Sequence, residues 1–397
     1  MERTIYRELK VTPAVWLVAL LLLAFIGAAG LAVLMIEEEG HIITGMNNQI
    51  VWGLPHVFAI FLIVAASGVL NVASISSVFG KKAYKPMARF SALLSITVLL
   101  GGLAILVLDL GRPDRLIVAM TRYNFTSIFA WNMLLYNGFF AIVGGYLVVQ
   151  MMPGASKTLQ KAAGVIAFTW RLILTTGTGS IFGWLVARPG YDAAIMAPMF
   201  IAMSFAFGLA LFILVTLIIF RLDGRIFGDK LMRRMGSLLG VFAAAVLYFT
   251  IAQHLTNLYA QEHQGFERFI LRDGGIYTTL FWVGHVLIGT LIPMALVFLR
   301  PSRGSTIWAS ILVILGGFAQ LYVIVIGGQA YPLEIFPGYE VLEGFNEGVI
   351  NSYNPTIYEL ALGLGGVALA LLAAGIGAKV LRVLPTNLSD ANYPTDG

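Results

Sequence analysis

The sequence has no cysteine in its 397 residues. Without thiolates the protein cannot ligate an iron–sulfur cluster, form a disulfide or attach a haem covalently. An electron carrier of those kinds would have to belong to a partner protein. Charged residues are scarce as well, at 11% of the chain. Such a low fraction excludes a soluble protein with an ordinary charged surface.

What the sequence has in abundance is apolar residues. They make up 59% of the chain, and the mean hydropathy is +0.86. A helix needs about 20 apolar residues to cross about 30 Å of hydrocarbon. Ten runs of this length predict an all-α polytopic membrane protein, with spans at about 14–36, 54–79, 87–110, 129–151, 162–186, 194–220, 235–259, 276–299, 305–327 and 357–381.

The distribution of lysine and arginine predicts the orientation. Most of these residues fall on the side that also carries both termini, for example Lys81, Lys157 and Arg233. The opposite side holds most of the acidic residues. Because loops rich in positive charge stay in the cytoplasm, we expect both termini to be cytoplasmic and the opposite side to be the outer side. The few outer arginines are Arg112, Arg115, Arg122, Arg188, Arg268 and Arg272.

The spans also suggest an internal repeat. Spans 2 to 5 and spans 6 to 9 each have a basic inner turn after their first helix, and in each the second helix ends on polar residues at the outer side. We expect two parallel four-helix bundles, at about residues 54–186 and 194–327, flanked by spans 1 and 10. Together they would form one membrane domain of residues 1–384. Any even-numbered bundle shows the same alternation of loops, so the pattern leaves a simple bundle open.

Two outer connections and the carboxy-terminal tail are polar. The connections cover residues 41–52 and 329–355, and the second contains four glutamates. Such a composition suits either a docking surface or a solvated connector. The polar residues 385–397 predict a disordered cytoplasmic tail.

The most informative stretch follows span 3. It reads LDLGRPDR over residues 108–115 and continues as RYNFTSIFAWN over residues 122–132. Two carboxylates and two guanidinium groups thus arrive where a membrane helix meets water, and a glycine and a proline end the helix. Two interpretations are open. The stretch is either a polar site at the bilayer surface or a helix stop in which Asp109 pairs with Arg112 or Arg115.

These stretches resemble the NrfD/PsrC family, the quinone-reacting membrane subunits of polysulfide reductase-like complexes. The runs WGLPHVFAIF at residues 52–61 and ARPGYDAAIMAPMF at residues 187–200 are most similar to the ten-span branch that contains the DsrP and HmcC proteins. The resemblance implies menaquinone or ubiquinone as a bound substrate in a pocket at the outer side of the first bundle. It also implies a ferredoxin-like iron–sulfur subunit at the outer, periplasmic face, with further redox subunits beyond it.

Through the LDLGRP core, the resemblance implies quinone-site roles for Asp109 and Arg112, and less directly for His56, Tyr123 and Asn124. Side chains that would add hydrogen bonds to a quinone carbonyl and an aromatic wall follow in the same stretch. They are Tyr123, Asn124, Trp131, Asn132 and Tyr136. Aromatic residues at this depth are equally typical of an anchoring belt at the membrane interface.

All five histidines map to the outer half of the predicted spans and loops. They are His41, His56, His254, His263 and His285. Singly, each is typical of packing or of the interface. Together with Asp109 they favour proton-coupled chemistry, because histidine and carboxylate groups exchange protons near neutral pH. We therefore predict His56, Asp109, His254 and His285 as the catalytic groups.

Span 5 contains Arg171, and Thr175 and Thr178 follow it at helical spacing. With Glu262 at the outer side, these residues form a possible proton path, since charges inside membranes are usually functional. The other interpretation has Arg171 paired with a carbonyl group and the hydroxyls bonded to their own helix.

The sequence thus predicts a quinone-reacting subunit of a multisubunit respiratory or sulfur-metabolism oxidoreductase. It would lie in a prokaryotic cytoplasmic membrane and carry no haem or iron–sulfur cluster of its own. Two other classes stay open. A dihaem cytochrome b would give a Soret band from the purified protein. A secondary transporter would move a solute by itself in liposomes.

Overall fold

A computed structural model describes residues 4–333 and 349–390. Within these residues ten helices are long and apolar enough to cross a membrane, so the predicted ten-span all-α fold is confirmed. The protein is a multi-pass integral membrane protein. Spans 1 to 10 are Pro13–Glu39, Leu54–Ser77, Lys82–Leu108, Ile128–Met151, Lys157–Gly183, Met196–Leu222, Asp229–Tyr259, Ile276–Leu299, Arg303–Ala330 and Ile357–Val380.

Spans 5 and 7 begin about five residues earlier than their apolar runs predict. The additional turns contain Lys157 and Lys161 in span 5 and Lys230 and Arg233 in span 7. Long basic side chains extend their charged ends into water while their stems cover apolar surface. A basic first turn therefore continues the helix without entering the hydrocarbon.

Short helices connect the spans at the end of the bundle that carries Asp109, which we call the Asp109 end. They are His41–Ile43, Pro113–Arg115, Leu116–Thr121, Gln261–His263 and Gln264–Arg268. Wider π-helical turns cover Phe269–Asp273, Leu280–Leu291 in span 8 and Val323–Gly327 in span 9. Such turns are rare and often lie at functional sites.

Span 2 is the centre of the molecule, and most of its residues are buried. It crosses span 6 with the two backbones in contact. A Cβ atom on Gly68 would overlap the carbonyl oxygen of Ser204, and one on Gly208 would overlap the backbone of Gly68. Small residues allow this approach of membrane helices. Glycine at both positions therefore allows span 2 of the first half and span 6 of the second half to pack in backbone contact.

The helix contacts are dense within each half of the protein and also between the halves, where span 6 packs on spans 2 and 5. Span 2 packs on spans 3 and 5, and span 4 packs on spans 3 and 5. In the second half, span 7 packs on spans 6 and 8, and span 9 packs on spans 6, 7 and 8. Span 10 packs on spans 1, 2 and 3. The division into two parallel four-helix groups with two flanking helices stays a prediction.

The opposite end of the bundle, which carries both termini, is closed by a small sheet. Strand β1 (Tyr6–Arg7) pairs antiparallel with β2 (Leu384–Pro385). Arg225 donates hydrogen bonds to the carbonyl oxygens of Leu384 and Pro385 at 3.1 and 2.9 Å. The terminal segments are thus tied to the loop between spans 6 and 7.

The prediction of disorder from Pro385 onward is wrong for residues 385–390. The Gly228 N–H donates to the Leu388 carbonyl at 2.8 Å, and the Lys230 N–H donates to Asp390 at 2.8 Å. These bonds satisfy backbone groups at the start of span 7, which polar composition alone does not reveal. Residues 391–397 lie outside the described part of the protein. So do the four glutamates of the second polar connection, Glu334, Glu340, Glu343 and Glu347.

Candidate functional site

A cavity of about 450 Å³ lies among spans 2, 3, 4 and 5, close to the Asp109 end. Its wall is mainly aliphatic, with contributions from Ile60, Ile63, Leu103, Leu106, Met133 and Ile181. A few polar side chains interrupt this surface, namely His56, Asn132, Tyr136, Asn137 and Thr178. Volume and lining are typical of a pocket for an apolar organic molecule with a small polar group.

His56 and Asp109 form a close pair at this cavity. His56 is the third residue of span 2, where Pro55 fits the first helical turn. Asp109 is the residue at which span 3 ends. His56 Nδ1 lies 3.0 Å from Asp109 Oδ2, and the exposed fractions of the two side chains are 20% and 1%. Two helix ends therefore place an imidazole in the cavity wall with a buried carboxylate behind it.

The Asp109 carboxylate is poorly compensated. Neither of its oxygens has an aligned hydrogen bond among the described residues, although His56 Nδ1 is close. His41 donates to the backbone carbonyl of Asp109 at 3.1 Å and leaves the carboxylate untouched. Burial and the negative end of a helix dipole both disfavour an isolated anion. His56 Nδ1 is thus the polar group that the structure places beside this carboxylate.

Trp52 forms the wall of the cavity next to His56. Its ring stacks on His56 at 6.2 Å and on Tyr191 at 6.3 Å between centroids. Its edge contacts are to Phe129 and Phe182, at 6.1 and 5.9 Å. Aromatic contacts on all these sides fix the orientation of the indole. A flat ring entering the cavity would meet this prepared aromatic surface.

Gln329, at the end of span 9, holds the Trp52 segment. Its Oε1 accepts from the N–H groups of Val51 and Trp52 at 2.9 and 3.0 Å. Its Nε2 donates to the carbonyls of Trp52 and Val325 at 3.0 and 2.7 Å. The side chain is buried and makes four hydrogen bonds, as many as an amide can commonly satisfy. The second half of the protein thereby positions the aromatic wall of the cavity in the first half.

Arg188 extends this polar network between the two halves. It donates to the carbonyls of Gln329 at 3.1 Å and Gln49 at 2.8 Å. Burial lowers the pKa of the Arg188 guanidinium, and nearby Tyr191 raises it to a smaller extent. Burial also raises the pKa of the Tyr191 hydroxyl, which donates to the Val325 carbonyl at 2.7 Å. In this network the Arg188 cation is therefore bonded to neutral carbonyl groups.

The loop residues named in the sequence lie outside the cavity wall. Arg112 faces Asp114 at 3.4 Å, and both side chains are about two-thirds exposed. Asp109 therefore has no ion pair with Arg112 or Arg115 among the described residues, so that helix-stop interpretation is wrong. Asn124 caps its own turn by accepting from Thr126. The Tyr123 ring packs on Phe125, and the Trp131 indole donates to the Phe125 carbonyl at 2.8 Å.

Asn132 and Tyr136, in contrast, line the cavity from span 4. The Asn132 amide nitrogen donates to the carbonyls of Ile128 and Gly177, both at 3.0 Å. Its Oδ1 is buried and has no hydrogen-bond partner in residues 4–333 and 349–390. Of the side chains predicted in this stretch, these two are the ones that a molecule in the cavity would contact.

A second histidine–carboxylate pair lies in the other half of the protein. His254 Nδ1 is 2.5 Å from Glu267 Oε2, and Asn257 donates to Glu267 Oε1 at 2.9 Å. Glu267 is completely buried, whereas the predicted Glu262 is exposed. The carboxylate beside His254 is therefore Glu267, and Glu262 makes no such contact among the described residues.

His285 lies in the π-helical part of span 8 and contacts the same region. Its Nε2 is 3.1 Å from Thr250 Oγ1, which itself donates to the Val246 carbonyl. His285 therefore donates to Thr250. His254, His285 and Gln320 line a small cavity of about 30 Å³, enough for one or two water molecules. The predicted histidines thus divide into two groups instead of forming one site.

Arg171 is fully buried between spans 5, 2 and 6. It donates to the Ser67 carbonyl at 3.4 Å and to Asn71 Oδ1 at 3.2 Å, and its guanidinium lies over the rings of Phe168 and Phe205. Thr175 and Thr178 bond to carbonyls of their own helix at 2.9 and 3.0 Å. These contacts match the second interpretation given above, in which Arg171 bonds to a carbonyl group and the two hydroxyls bond to their own helix.

Comparison with protein families identifies the chain. Residues 43–332, well over half of the sequence, match the family model for polysulphide reductase, NrfD. The chain belongs to the NrfD family. The match begins before span 2 and ends after span 9, so the shared part of this NrfD protein contains both histidine–carboxylate pairs.

Relatives with assigned names extend over most or nearly all of the protein. The sequence is 29% identical to an Hdr-like menaquinol oxidoreductase integral membrane subunit of Archaeoglobus fulgidus, covering 92% of this chain and 93% of the relative. It is 22% identical to a selenate reductase subunit of Mesobacillus selenatarsenatis, covering 91% and 93%. A polysulfide reductase subunit of Wolinella succinogenes is 21% identical, over 72% of this chain and 96% of the relative.

Sequence reasoning missed three residues of this NrfD protein that its structure brings into the sites. Trp52 stood in the quoted run at residues 52–61, but only as part of the resemblance. Glu267 carried a weak signal, a carboxylate 13 residues from His254. Gln329 carried none, because its hydrogen bonds reach residues 277 and 278 positions away.

Proposed function

We propose that this NrfD protein is the quinone-reacting membrane subunit of a multisubunit respiratory or sulfur-metabolism oxidoreductase. The observation that carries the proposal is a ligand-sized apolar cavity with His56 in its wall and the buried Asp109 carboxylate 3.0 Å behind it. The name of the Archaeoglobus relative includes menaquinol oxidoreductase, which supports menaquinone, or ubiquinone, as the molecule bound there.

The His56–Asp109 pair suits the proton chemistry of a quinone. Interconversion of a hydroquinone and a quinone moves two electrons and two protons. With Nδ1 3.0 Å from Asp109 Oδ2, the His56 nitrogen left for a bound quinone is Nε2. Asp109 holds the ring in the tautomer with Nδ1 protonated and stabilises the cation when Nε2 takes up a hydroxyl proton. His56 is therefore the proton acceptor or donor, and Asp109 is its partner.

Electrons would pass to or from an iron–sulfur subunit, of the ferredoxin-like kind, docked at the Asp109 end. That end is the outer, periplasmic side of the cytoplasmic membrane if lysine and arginine distribution sets the orientation, with both termini in the cytoplasm. The cavity lies near this end. An acceptor on the opposite side would be separated from it by most of about 30 Å of hydrocarbon.

Crosslinking within the complex purified from native membrane tests the partner and its side. We expect an iron–sulfur protein to copurify and to crosslink near Glu262 and Asp273. Crosslinks confined to Lys81, Lys157 and Lys230, at the opposite end, would contradict the docking side. A preparation that reacts with quinone and contains no iron–sulfur protein would contradict the electron-transfer partner.

A direct binding measurement tests the cavity. A quinone-site inhibitor or a photoreactive naphthoquinone is expected to label residues of spans 2 to 5. The label should be lost in His56→Leu, in which the imidazole is replaced by an apolar group of similar size. Labelling confined to the 30 Å³ cavity near His285 would contradict this assignment.

A further inference from the structure

Asn132 lines the cavity, and its side-chain oxygen is an acceptor that no group of the described residues occupies. The residue lies one turn inside span 4, and only 2% of it is exposed. Its Oδ1 is buried and unpartnered within the described residues. A buried acceptor without a donor costs free energy, and a ligand that donates a hydrogen bond to it would recover this free energy on binding.

The orientation of this amide is determined by its surroundings. Both N–H bonds of Asn132 Nδ2 are used, one by the Ile128 carbonyl and one by the Gly177 carbonyl, each at 3.0 Å. Exchanging the oxygen and nitrogen would place Oδ1 against two carbonyl oxygens. The absence of a side chain at Gly177 maintains this approach, since a Cβ there would lie 3.2 Å from Asn132 Oδ1. The Asn132 side chain therefore has an acceptor, and no donor, left for a further hydrogen bond.

An acceptor at this position distinguishes the two redox forms of a quinone. An oxidised quinone carries two carbonyl oxygens and no donor, so its oxygen would face the Asn132 oxygen without a proton between them. A hydroquinone carries two hydroxyl groups and can donate one to Asn132 Oδ1. His56 Nε2, when neutral and paired with Asp109 through Nδ1, is also an acceptor.

We propose that Asn132 is a specificity-determining residue that accepts a hydrogen bond from a hydroxyl of a bound hydroquinone, so that the cavity holds the reduced form more tightly than the oxidised form. The inference rests on the proposed quinone site and adds a preference for one redox form. It corrects the expectation from the sequence that Asn132 donates to a quinone carbonyl. A site of this kind favours uptake of hydroquinone and release of quinone.

Binding of 2,3-dimethyl-1,4-naphthoquinone and of its hydroquinone, measured anaerobically by calorimetry on the detergent-purified complex, tests the proposal. In the wild type we expect the hydroquinone to bind at least about tenfold more tightly, since one hydrogen bond to a buried group contributes about that factor. The midpoint potential of the bound two-electron couple would then lie at least about 30 mV above that of the free couple. In Asn132→Leu the ratio of the two affinities should fall by about tenfold, mainly through weaker binding of the hydroquinone, and the preference that remains would be the contribution of His56.

Gln320→Leu is the matched control, because Gln320 is also a buried amide whose oxygen has no hydrogen-bond partner among the described residues, but it lines the small cavity in the other half. It should leave the affinity ratio at the wild-type value. If Asn132→Leu does not accumulate in the membrane, Asn132→Ser serves instead, since its short hydroxyl bonds back to its own helix.

The outcomes separate this inference from the proposed function. Equal or tighter binding of the oxidised form by the wild type would overturn the inference and leave the quinone site standing. An unchanged ratio in a folded Asn132 variant would do the same. Binding of neither form by the wild type would overturn the proposed function, and the preference for hydroquinone with it.

Discussion

The two halves of the molecule each contain a histidine beside a buried carboxylate, and the pairs differ in what surrounds them. Glu267 is bonded by His254 at 2.5 Å and by Asn257 at 2.9 Å, beside a cavity of about 30 Å³. Asp109 has His56 at 3.0 Å without an aligned bond, beside a cavity of about 450 Å³. A satisfied pair next to little space suits a structural role. A pair that lacks hydrogen bonds and lies next to a ligand-sized space suits a role in binding or proton transfer.

The comparison predicts that the two carboxylates respond differently to neutralisation. In Asp109→Asn the protein should fold and insert, and hydroquinone-linked electron transfer should fall by between about a hundredfold and ten-thousandfold, the usual contribution of a positioned acid–base group. The amide keeps the size of the side chain but does not stabilise a protonated His56. The measurement is turnover of the purified complex, with protein level in the membrane as control.

Glu267→Gln is the matched variant in the second half. Its turnover should stay within about threefold of the wild type, because Glu267 lies beside a space too small for a quinone. Equal losses in Asp109→Asn and Glu267→Gln would remove the distinction between the two pairs. Normal turnover of Asp109→Asn across the working pH range would remove Asp109 from the proton chemistry.

Removing the second carboxylate altogether should affect stability instead. Glu267→Leu removes the acceptor of the buried Asn257 and of the partly buried His254, at a cost of about 1–3 kcal/mol for the buried amide. We expect a clearly lower melting temperature in detergent, with electron transfer preserved in the fraction that stays folded. Glu262→Leu, an exposed neighbour in sequence, is the control and should melt like the wild type. Unchanged melting of Glu267→Leu would show that the pair does not stabilise this half.

A third, smaller effect is expected where the second half supports the first. Gln329→Leu removes three hydrogen bonds that hold Val51 and Trp52, so the aromatic wall becomes less ordered. We expect the KM for hydroquinone to rise by about tenfold and kcat to change by less than about threefold, because the loss is in ground-state and transition-state binding alike. Steady-state kinetics of the complex measure both constants.

Gln320→Leu provides the control on the same helix. Gln320 is also a buried amide of span 9, but it lines the small cavity and contacts Thr250 at 3.4 Å. Its KM should be that of the wild type. A fall in kcat alone in Gln329→Leu would indicate that Gln329 acts on the chemistry and not on the wall.

A structural feature can be predicted from the sequence when the residues that form it are close together in the chain. The ten spans follow from local hydropathy, and Asp109 follows from a polar motif at a helix end. The Glu267–His254 pair is less accessible, because two glutamates stand in one polar segment and only the fold turns one of them inward. The Trp52–Gln329 contact joins segments 277 residues apart. Such a contact depends on how spans 2, 6 and 9 pack, which local patterns do not encode.

The smallest effect is expected at Arg112, although it belongs to the same motif as Asp109. Its side chain is 68% exposed and faces the exposed Asp114 at 3.4 Å, and surface ion pairs of this kind contribute little. In Arg112→Gln we expect the KM for hydroquinone and the melting temperature to match the wild type closely, measured beside Asp109→Asn in the same preparation. A large rise in KM would mean that the loop after span 3 folds over the cavity when quinone is bound and brings the guanidinium to the quinone oxygen. The motif would then supply two groups to the quinone site. The Asp109 carboxylate would lack a hydrogen-bond partner only until the ligand binds and Arg112 moves next to it.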